Sequence, residues 1–169
     1  MTDTAKTNLN FALLTVSDTR TLDQDTSGNY LSEALTSSGH TLFERALLTD
    51  DTYEIRAQVS QWIASTQIQV ILITGGTGFY DRDNTVGAVS VLFDKVIPGF
   101  GEVFRARSLE DIGMATLQSC AIGGMANRTA IFCLPGSTGA CRLAWEQILE
   151  TQLDSRTKPC NFVAHLTRD

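Results

Sequence analysis

The sequence contains no long run of apolar residues. Its longest unbroken aliphatic stretch, Val70–Ile73, falls far short of the roughly 20 residues that a helix needs to cross a bilayer. Residues 1–10 are polar and include Asp3, which is unlike the apolar core of a secretory signal. We therefore expect a cytoplasmic protein without a membrane partner.

Positive charge and metal-ligand clusters are also scarce. There are 13 Lys and Arg residues against 19 Asp and Glu, the net charge is −6, and no basic cluster occurs. A nucleic-acid surface needs clustered cations to replace the counterions of the phosphates, so we expect no nucleic-acid partner. The four cysteines lie far apart and form no group with the two histidines, which argues against a structural zinc site.

The sequence does contain an alternation of apolar strands and amphipathic helices. With 169 residues and 43% hydrophobic content, it predicts one domain over residues 1–169, with residues 1–9 as a flexible tail. Two helices separate the first three strands. The first helix is capped by Thr26 or Ser27, and the second ends at about residue 65. Later elements are a helix over about 85–93, two strands around a tight turn at 127–128, and a last helix over 137–153. The first three strands are predicted at 11–16, 41–48 and 68–74. Strand and helix in this alternation are typical of a doubly wound α/β fold.

The strongest local motif is T-G-G-T-G at Thr74–Gly78, directly after the most apolar strand. Glycines let backbone N–H groups approach an anion, and threonine hydroxyls add donors. Because open α/β sheets bind ligands beyond the carboxyl ends of their strands, an anion-binding loop is favoured over an ordinary turn. The loop lacks the Gly-Lys-Ser/Thr of a P-loop, and Asp81 stands where a dinucleotide-binding motif has its third glycine.

Two acidic residues near this loop, Asp50 and Asp83, are candidate Mg²⁺ ligands. Mg²⁺ binds one or two carboxylates together with phosphate oxygens, and it offsets the repulsion between a carboxylate and a phosphate. For Asp83, a helix cap is an equally good interpretation. Asp50 and Asp51 both follow the second strand. A helix cap explains one of them, most simply Asp51, and this leaves Asp50 to face the cleft.

Two more strand ends bring polar groups to the same edge of the sheet. Ser17 closes the first strand, and Pro135–Ser137 joins a later strand to the last helix as a second loop-to-helix anion site. The predicted crevice thus contains hydroxyls, backbone donors and carboxylates but neither histidine nor thiol. This composition is better suited to binding a phosphorylated ligand with a metal than to acyl transfer or redox chemistry.

These motifs, taken in order, resemble the molybdopterin-binding family of molybdenum cofactor biosynthesis, to which the gephyrin G domain is related. The resemblance extends over nearly the whole chain, and its C-terminal part is most similar to the B-type branch of the family. The motifs that carry it are L-T-V-S-D-T at Leu14–Thr19, D-T-S-G at Asp25–Gly28, I-T-G-G-T-G at Ile73–Gly78, P-G-F-G-E-V-F-R at Pro98–Arg105, L-P-G-S at Leu134–Ser137 and R-T-K-P-C-N-F at Arg156–Phe162.

The resemblance implies a three-layer α/β/α sandwich with a mostly parallel sheet, assembled as a homotrimer or a homohexamer. It also implies an adenylyltransferase, in which the terminal phosphate of molybdopterin attacks the α-phosphorus of Mg-ATP to give adenylyl-molybdopterin and pyrophosphate. The resemblance assigns catalysis and Mg²⁺ binding to Asp50 and Asp83. Substrate and phosphate binding fall on two loops, to which the strand-end argument adds Ser17 and Thr74; the loop residues are Gly75, Gly76, Thr77, Gly78, Pro135, Gly136 and Ser137.

Two segments leave the interpretation open. After Asp83 the family has a Pro-acid pair at the helix start, whereas Val86 and Gly87 stand here, so we expect a softer start. The chain is then either an active adenylyltransferase or a protein that binds the pterin or a nucleotide without turnover. A third reading is an unrelated phosphosugar- or nucleotide-binding module that shares only the glycine loop.

Pro98–Gly101 is expected to be an exposed element, a lid or part of the interface between copies.

Overall fold

The computed structural model describes residues 5–167, and its centre is a six-stranded sheet. The strands are β1 (Asn10–Val16), β2 (Thr41–Leu48), β3 (Val70–Thr74), β4 (Lys95–Val96), β5 (Ile122–Ala126) and β6 (Thr129–Leu134). Their order across the sheet is β2-β1-β3-β6-β5-β4. The pairs β1/β2, β1/β3 and β3/β6 are parallel, whereas β5 is antiparallel to both β4 and β6. This confirms the predicted α/β class with a mostly parallel sheet.

Helices cover both faces of this sheet. They are α1 (Thr26–Ser37), α2 (Thr52–Ala64), α3 (Thr85–Ser90), α4 (Pro98–Ile112), α5 (Thr138–Ala144), α6 (Glu150–Gln152) and α7 (Val163–Leu166). A π-helical turn at Trp145–Leu149 connects α5 to α6, and 3₁₀ turns occur at Leu22–Gln24 and Gly113–Gln118. None of the helices within residues 5–167 is long and apolar enough to cross a membrane.

Alternate residues of the central strands point into two separate cores, one on each face of the sheet. The fold therefore has three layers, with the sheet between two layers of helices. Phe11 and Leu13 of β1 pack on the face covered by α1, α4 and α5, where Trp145 is also buried. Leu14, one position further on, faces the opposite core together with Trp62 of α2. Every residue of β3 is buried, as predicted for a central parallel strand that both layers cover.

Local details differ from the sequence-based expectations at three helices. The cap of α1 is Asp25, whose carboxylate accepts from the Gly28 N–H, so the predicted cap at Thr26 or Ser27 is wrong. Helix α3 ends at Ser90 instead of about residue 93, because the chain tightens into turns that lead to β4. At the start of α4, Phe100 is buried and its ring lies 4.9 Å from that of Phe132. The exposed element expected at residues 98–101 is therefore wrong for Phe100 and its neighbour Gly101.

The expectation of a flexible tail is wrong for part of residues 1–9. Leu9 is buried in the core, and the N–H of Thr7 donates to Ser155 Oγ at 3.0 Å. The burial of Leu9 next to β1 explains this, since apolar area removed from water stabilises an ordered chain. Residues 1–4 lie outside the described part of the chain.

Candidate functional site

Two adjoining cavities lie at the carboxyl edge of the sheet. The larger, of about 450 Å³, is bounded by the glycine loop and by α4 with the 3₁₀ turn that follows it. The smaller, of about 320 Å³, lies at the ends of β1 and β3. Gly75, Gly136 and Ser137 line both cavities, so the two predicted loops form the wall between them.

The glycine loop adopts a backbone that only glycine accepts readily. Gly75 and Gly76 have φ of +98° and +62°, and a Cβ on Gly75 would overlap with the carbonyl oxygen of Val16. Thr85 closes the loop, because its hydroxyl donates to the Gly75 carbonyl at 2.8 Å and its N–H donates to the Gly76 carbonyl at 2.9 Å. Both carbonyls thus face the start of α3. The loop is therefore held by Thr85 at the start of α3, and it packs closely against the Val16 carbonyl at the end of β1.

Asp50 lies beside this loop, as predicted, and Asp51 caps α2 by accepting from the N–H groups of Tyr53 and Glu54. A Cβ on Gly76 would come within 2.5 Å of Asp50 Oδ2, so the glycine makes room for the carboxylate. The N–H of Asn84 donates to Asp50 Oδ1 at 3.0 Å. Burial raises the pKa of Asp50, the nearby Asp18 and Asp83 add to the rise, and the hydrogen bonds from Asn84 oppose it.

Asp83 lines the larger cavity and does not cap α3, so the helix-cap interpretation is wrong. Its Oδ2 accepts from the N–H of Tyr80 at 2.9 Å and lies 2.5 Å from where a Cβ on Gly78 would be. Asn84 occupies the cap position of α3, with no hydrogen bond from its side chain to the helix. The carboxylate is therefore held by its own loop at the cavity wall.

The second loop is held from behind through its carbonyl groups. Thr74, one of the predicted binding residues, is buried, and its hydroxyl donates to the Pro135 carbonyl at 3.0 Å. The hydroxyl of Ser27 donates to the Gly136 carbonyl at 2.8 Å. Ser137 caps α5 by accepting from the Ala140 N–H at 3.2 Å. These hydroxyls are occupied in positioning the loop, which leaves its backbone N–H groups as the donors for an anion.

Ser17 also has a positioning contact. Its Oγ accepts from the N–H groups of Thr19 at 3.3 Å and Arg20 at 3.1 Å, which shapes the turn after β1. Of the remaining predicted residues, Thr77, Gly78 and Pro135 line the larger cavity. All the predicted site residues thus lie in or next to the two cavities.

Sequence reasoning missed two parts of this region. One is the wall that α4 and the following turn supply, with Phe104, Ser108 and Ile112 among its residues. The other is Asp25, which is fully buried and accepts from Thr15 Oγ1 at 2.6 Å and from Arg45 Nη2 at 2.9 Å. The D-T-S-G motif was the available signal for Asp25, although no local rule places Arg45 against it.

Asp25 is an ionised carboxylate inside the protein. Burial raises its pKa, but hydrogen bonds from Thr15, the Gly28 N–H and Arg45 outweigh this and hold the pKa below its usual value. A buried charge is tolerated when it is paired and fully hydrogen-bonded. Asp25 therefore ties β1, β2 and the start of α1 together behind the smaller cavity.

The acidic residues fit a magnesium ion only together with a ligand. Within residues 5–167, no group of three or more His, Cys, Asp or Glu side chains is placed to hold a metal on its own. Mg²⁺ commonly takes one or two carboxylates and completes its shell with water and phosphate oxygens. Asp83 beside Gly78 lines the larger cavity, whereas Asp50 beside Gly76 lies behind the loop and lines neither cavity. Their carboxylate oxygens are of the kind that such an incomplete donor set requires.

Comparison with known proteins finds relatives that match most of the chain. The family model described as "probable molybdopterin binding domain" matches residues 12–155. Molybdenum cofactor biosynthesis protein B of Escherichia coli K12 is 54% identical over 157 residues, which are 93% of this chain and 92% of that protein. The protein of the same name from Bacillus cereus is 44% identical over 142 residues, covering 83% and 84%.

Solved structures show the same similarity in three dimensions. A crystal structure of a molybdenum cofactor biosynthesis protein B has a TM-score of 0.85 and 42% identity, covering 88% of this chain and 93% of that one. The tungsten cofactor synthesizing protein MoaB from Pyrococcus furiosus has a TM-score of 0.76 and 34% identity, with 85% and 92% covered. The family match over residues 12–155, together with these identities and the shared fold, shows that the chain belongs to the molybdopterin-binding family.

Proposed function

We propose that this protein acts in molybdenum cofactor biosynthesis, where it binds molybdopterin and adenylylates it with Mg-ATP. The observation that carries the proposal is the contact between the two loops: a Cβ on Gly136 would lie 3.3 Å from Gly75 Cα. Two backbone anion sites at this separation can hold two phosphate groups side by side. The names of the relatives in both comparisons supply the pathway.

The reaction needs positioning and charge compensation more than covalent participation by the protein. An oxygen of the molybdopterin phosphate forms a bond to the α-phosphorus of ATP, and the bond from that phosphorus to the bridging oxygen breaks, releasing pyrophosphate. Both the attacking group and the leaving group are anions, so no proton has to be removed. The backbone N–H groups of Gly76–Gly78, and those of Gly136 and Ser137, orient the phosphates, in the manner general for phosphoryl transfer.

Asp50 and Asp83 would hold the magnesium ion that accompanies ATP. When bound, the ion neutralises charge on the phosphate oxygens and on the leaving pyrophosphate. The hydrogen bond from the Asn84 N–H orients the Asp50 carboxylate, and the Tyr80 N–H orients that of Asp83. Without a metal these carboxylates repel a polyphosphate, which makes them poor residues for a site that binds nucleotide alone.

The alternative is a protein that binds the pterin or a nucleotide without turnover. It was suggested by the missing Pro-acid pair at the start of α3. Asn84 supports turnover instead, because its side chain donates to the Asp50 carbonyl at 2.9 Å and anchors the helix start there. Arg56 holds the middle of the short helix by donating to the carbonyls of Gly87 and Ala88, at 3.2 and 3.1 Å. Tertiary contacts thus replace the local preorganisation that proline gives.

We also propose a single-domain subunit that assembles as a homotrimer or homohexamer. Support comes from large apolar side chains on α4 and the following turn, several of which are exposed by two-fifths or more: Val103, Leu109, Ile112, Met114 and Leu117. Contiguous apolar surface on a monomer is typical of an interface. A monomer in light scattering at micromolar concentration would contradict this assembly.

The direct test of the reaction is incubation with molybdopterin and Mg-ATP, followed by chromatography for adenylyl-molybdopterin and pyrophosphate. We expect both products in equal amounts and neither of them in EDTA. Binding of molybdopterin with no product at any ATP concentration would favour the alternative. Binding of neither ligand would contradict both candidate functions.

A further inference from the structure

The two cavities differ in charge. Among residues 5–167, Arg20 is the one charged residue that lines the smaller cavity, and Asp83 is the one charged residue that lines the larger. The backbone of Gly75, Gly136 and Ser137 separates them. A phosphate on one side of this wall therefore faces a cation, and a phosphate on the other side faces a carboxylate.

Arg20 is positioned without being neutralised. The turn closed by Ser17 fixes its backbone, and its Nη1 donates to the Gly136 carbonyl at 3.3 Å. None of the ion pairs formed within residues 5–167 includes Arg20. A guanidinium has five N–H donors in a planar fork, so most of its donors remain for a ligand.

Two acidic side chains on the neighbouring segments, Asp18 and Asp25, are already paired. Asp18 accepts from the Asp50 N–H at 3.0 Å and forms an ion pair with Arg82. The buried Asp25 is paired with Arg45 at 2.9 Å. Asp23, three positions after Arg20, is exposed and lines neither cavity. The positive charge of Arg20 is therefore not cancelled by an acidic residue in the smaller cavity.

The position of this cavity in the sheet favours a ligand site. Strand β1 lies between β2 and β3, and α1 and α2, which follow β1 and β2, pack on opposite faces of the sheet. This arrangement is a topological switch point, where the carboxyl ends of adjacent strands diverge and leave a crevice. Thr15–Ser17 and Thr74 line the smaller cavity at that point.

We propose that Arg20 binds a phosphate monoester in the smaller cavity without a metal, while metal-bound phosphates occupy the larger cavity beside Asp83. This inference rests on the proposed function, which makes the monoester the terminal phosphate of molybdopterin and the metal-bound group part of ATP. An arginine fork matches two phosphate oxygens at once, and the adjacent loop N–H groups supply further donors. Arg20 would thus decide which of the two substrates enters which cavity.

The test uses phenyl phosphate as a simple monoester, in EDTA and at constant ionic strength. Affinity is obtained from the rise of the unfolding temperature with ligand concentration. We expect Arg20→Ala to weaken binding by about tenfold or more, since a charge-assisted hydrogen bond is lost, and Arg20→Lys to fall between. Arg107→Ala is the matched control, because it removes the same charge from an exposed site on α4.

Unchanged affinity in Arg20→Ala, or an equal loss in Arg107→Ala, would overturn the assignment. So would a larger effect of Arg20→Ala on Mg-ATP binding than on phenyl phosphate binding. Failure of the proposed function is distinguishable, because an Arg20-dependent phosphate site in a protein that forms no adenylyl-molybdopterin supports the site and contradicts only the reaction.

Discussion

The two loops that meet at the carboxyl edge hold their shapes in different ways. Gly75–Gly78 has positive φ at two glycines, and residues 79–84 connect it to a six-residue helix that lacks a side-chain cap. Pro135–Ser137 ends in an ordinary serine cap and enters a helix that continues through a π turn to Gln152. The first loop depends on distant groups such as Thr85, whereas the second begins its helix by a local rule.

The difference is accompanied by a difference in charge. The first loop lies beside Asp50 and Asp83, and the second lies beside Arg20 and hydroxyl groups. A loop with carboxylates beside it suits a metal-bound ligand, since the ion offsets the repulsion between a carboxylate and a phosphate. The comparison therefore predicts that damage to the first loop affects chemistry and fold together, while damage to the second has local effects.

The largest expected effect is on turnover. Asp50→Asn and Asp83→Asn should each lower the rate of adenylyl-molybdopterin formation by at least about 100-fold, because the charge that holds the metal is lost. Both variants should remain folded, as judged by circular dichroism and urea unfolding. Asp51→Asn is the control, since asparagine caps a helix as well as aspartate does and should leave turnover unchanged. Turnover retained in both site variants would rule out the assigned roles.

The next effect is on stability. Gly75→Ala should lower the free energy of unfolding by on the order of 3 kcal/mol, because the new Cβ meets the Val16 carbonyl at a backbone angle that alanine disfavours. Gly139→Ala in α5 has open space around it and should raise the stability slightly, by about 0.5–1 kcal/mol. Urea titration measures both. Equal stability of the two variants would show that the first loop relaxes freely.

Removal of magnesium should separate the two ligands. In EDTA the affinity for ATP should fall by at least about tenfold, because Asp50 and Asp83 then repel its phosphates. The affinity for molybdopterin should stay the same, since its phosphate is held by backbone donors and Arg20. Calorimetry with each ligand, with and without EDTA, measures the difference. Equal ATP affinity in both conditions would mean that these acids do not reach the nucleotide through a metal.

The smallest effect is expected at the second loop. Ser137→Ala removes the cap of α5 and should lower the free energy of unfolding by about 1 kcal/mol. Ser137→Asp keeps a capping oxygen and should recover most of that loss. Thermal unfolding of the three proteins compares them. A loss in Ser137→Ala as large as that in Gly75→Ala would remove the distinction between the two loops.

The features that follow short-range rules were predictable. The β-branched run of β3, the apolar faces of α2 and α5, and the glycine loop after β3 are patterns within a few residues of one another. The Asp51 cap belongs to the same class. Their outcome depends on periodicity and on backbone sterics, and both can be read along the chain.

Features that depend on distant partners were not predictable from the sequence. Local rules left Asp83 as an equally good cap, and the contact of Asn84 with Asp50, 34 positions earlier, decided against it. Phe100 follows Pro-Gly and suggested exposure, but the apolar space beside Phe132 placed it in the core. In each case the deciding contact came from a residue more than 30 positions away along the chain.

The sequence by itself determined the α/β class, the two loops at the carboxyl edge of the sheet, and the presence of acids near one of them. Only the tertiary structure decided that Asp25 is buried against Arg45, that Thr74 and Ser27 hold the second loop from behind, and that Arg20 is left with donors to spare. The reason is physical: local backbone preferences act within a turn or two of the chain. The pairing of buried charges and carbonyls is settled only when strands from different parts of the chain lie side by side.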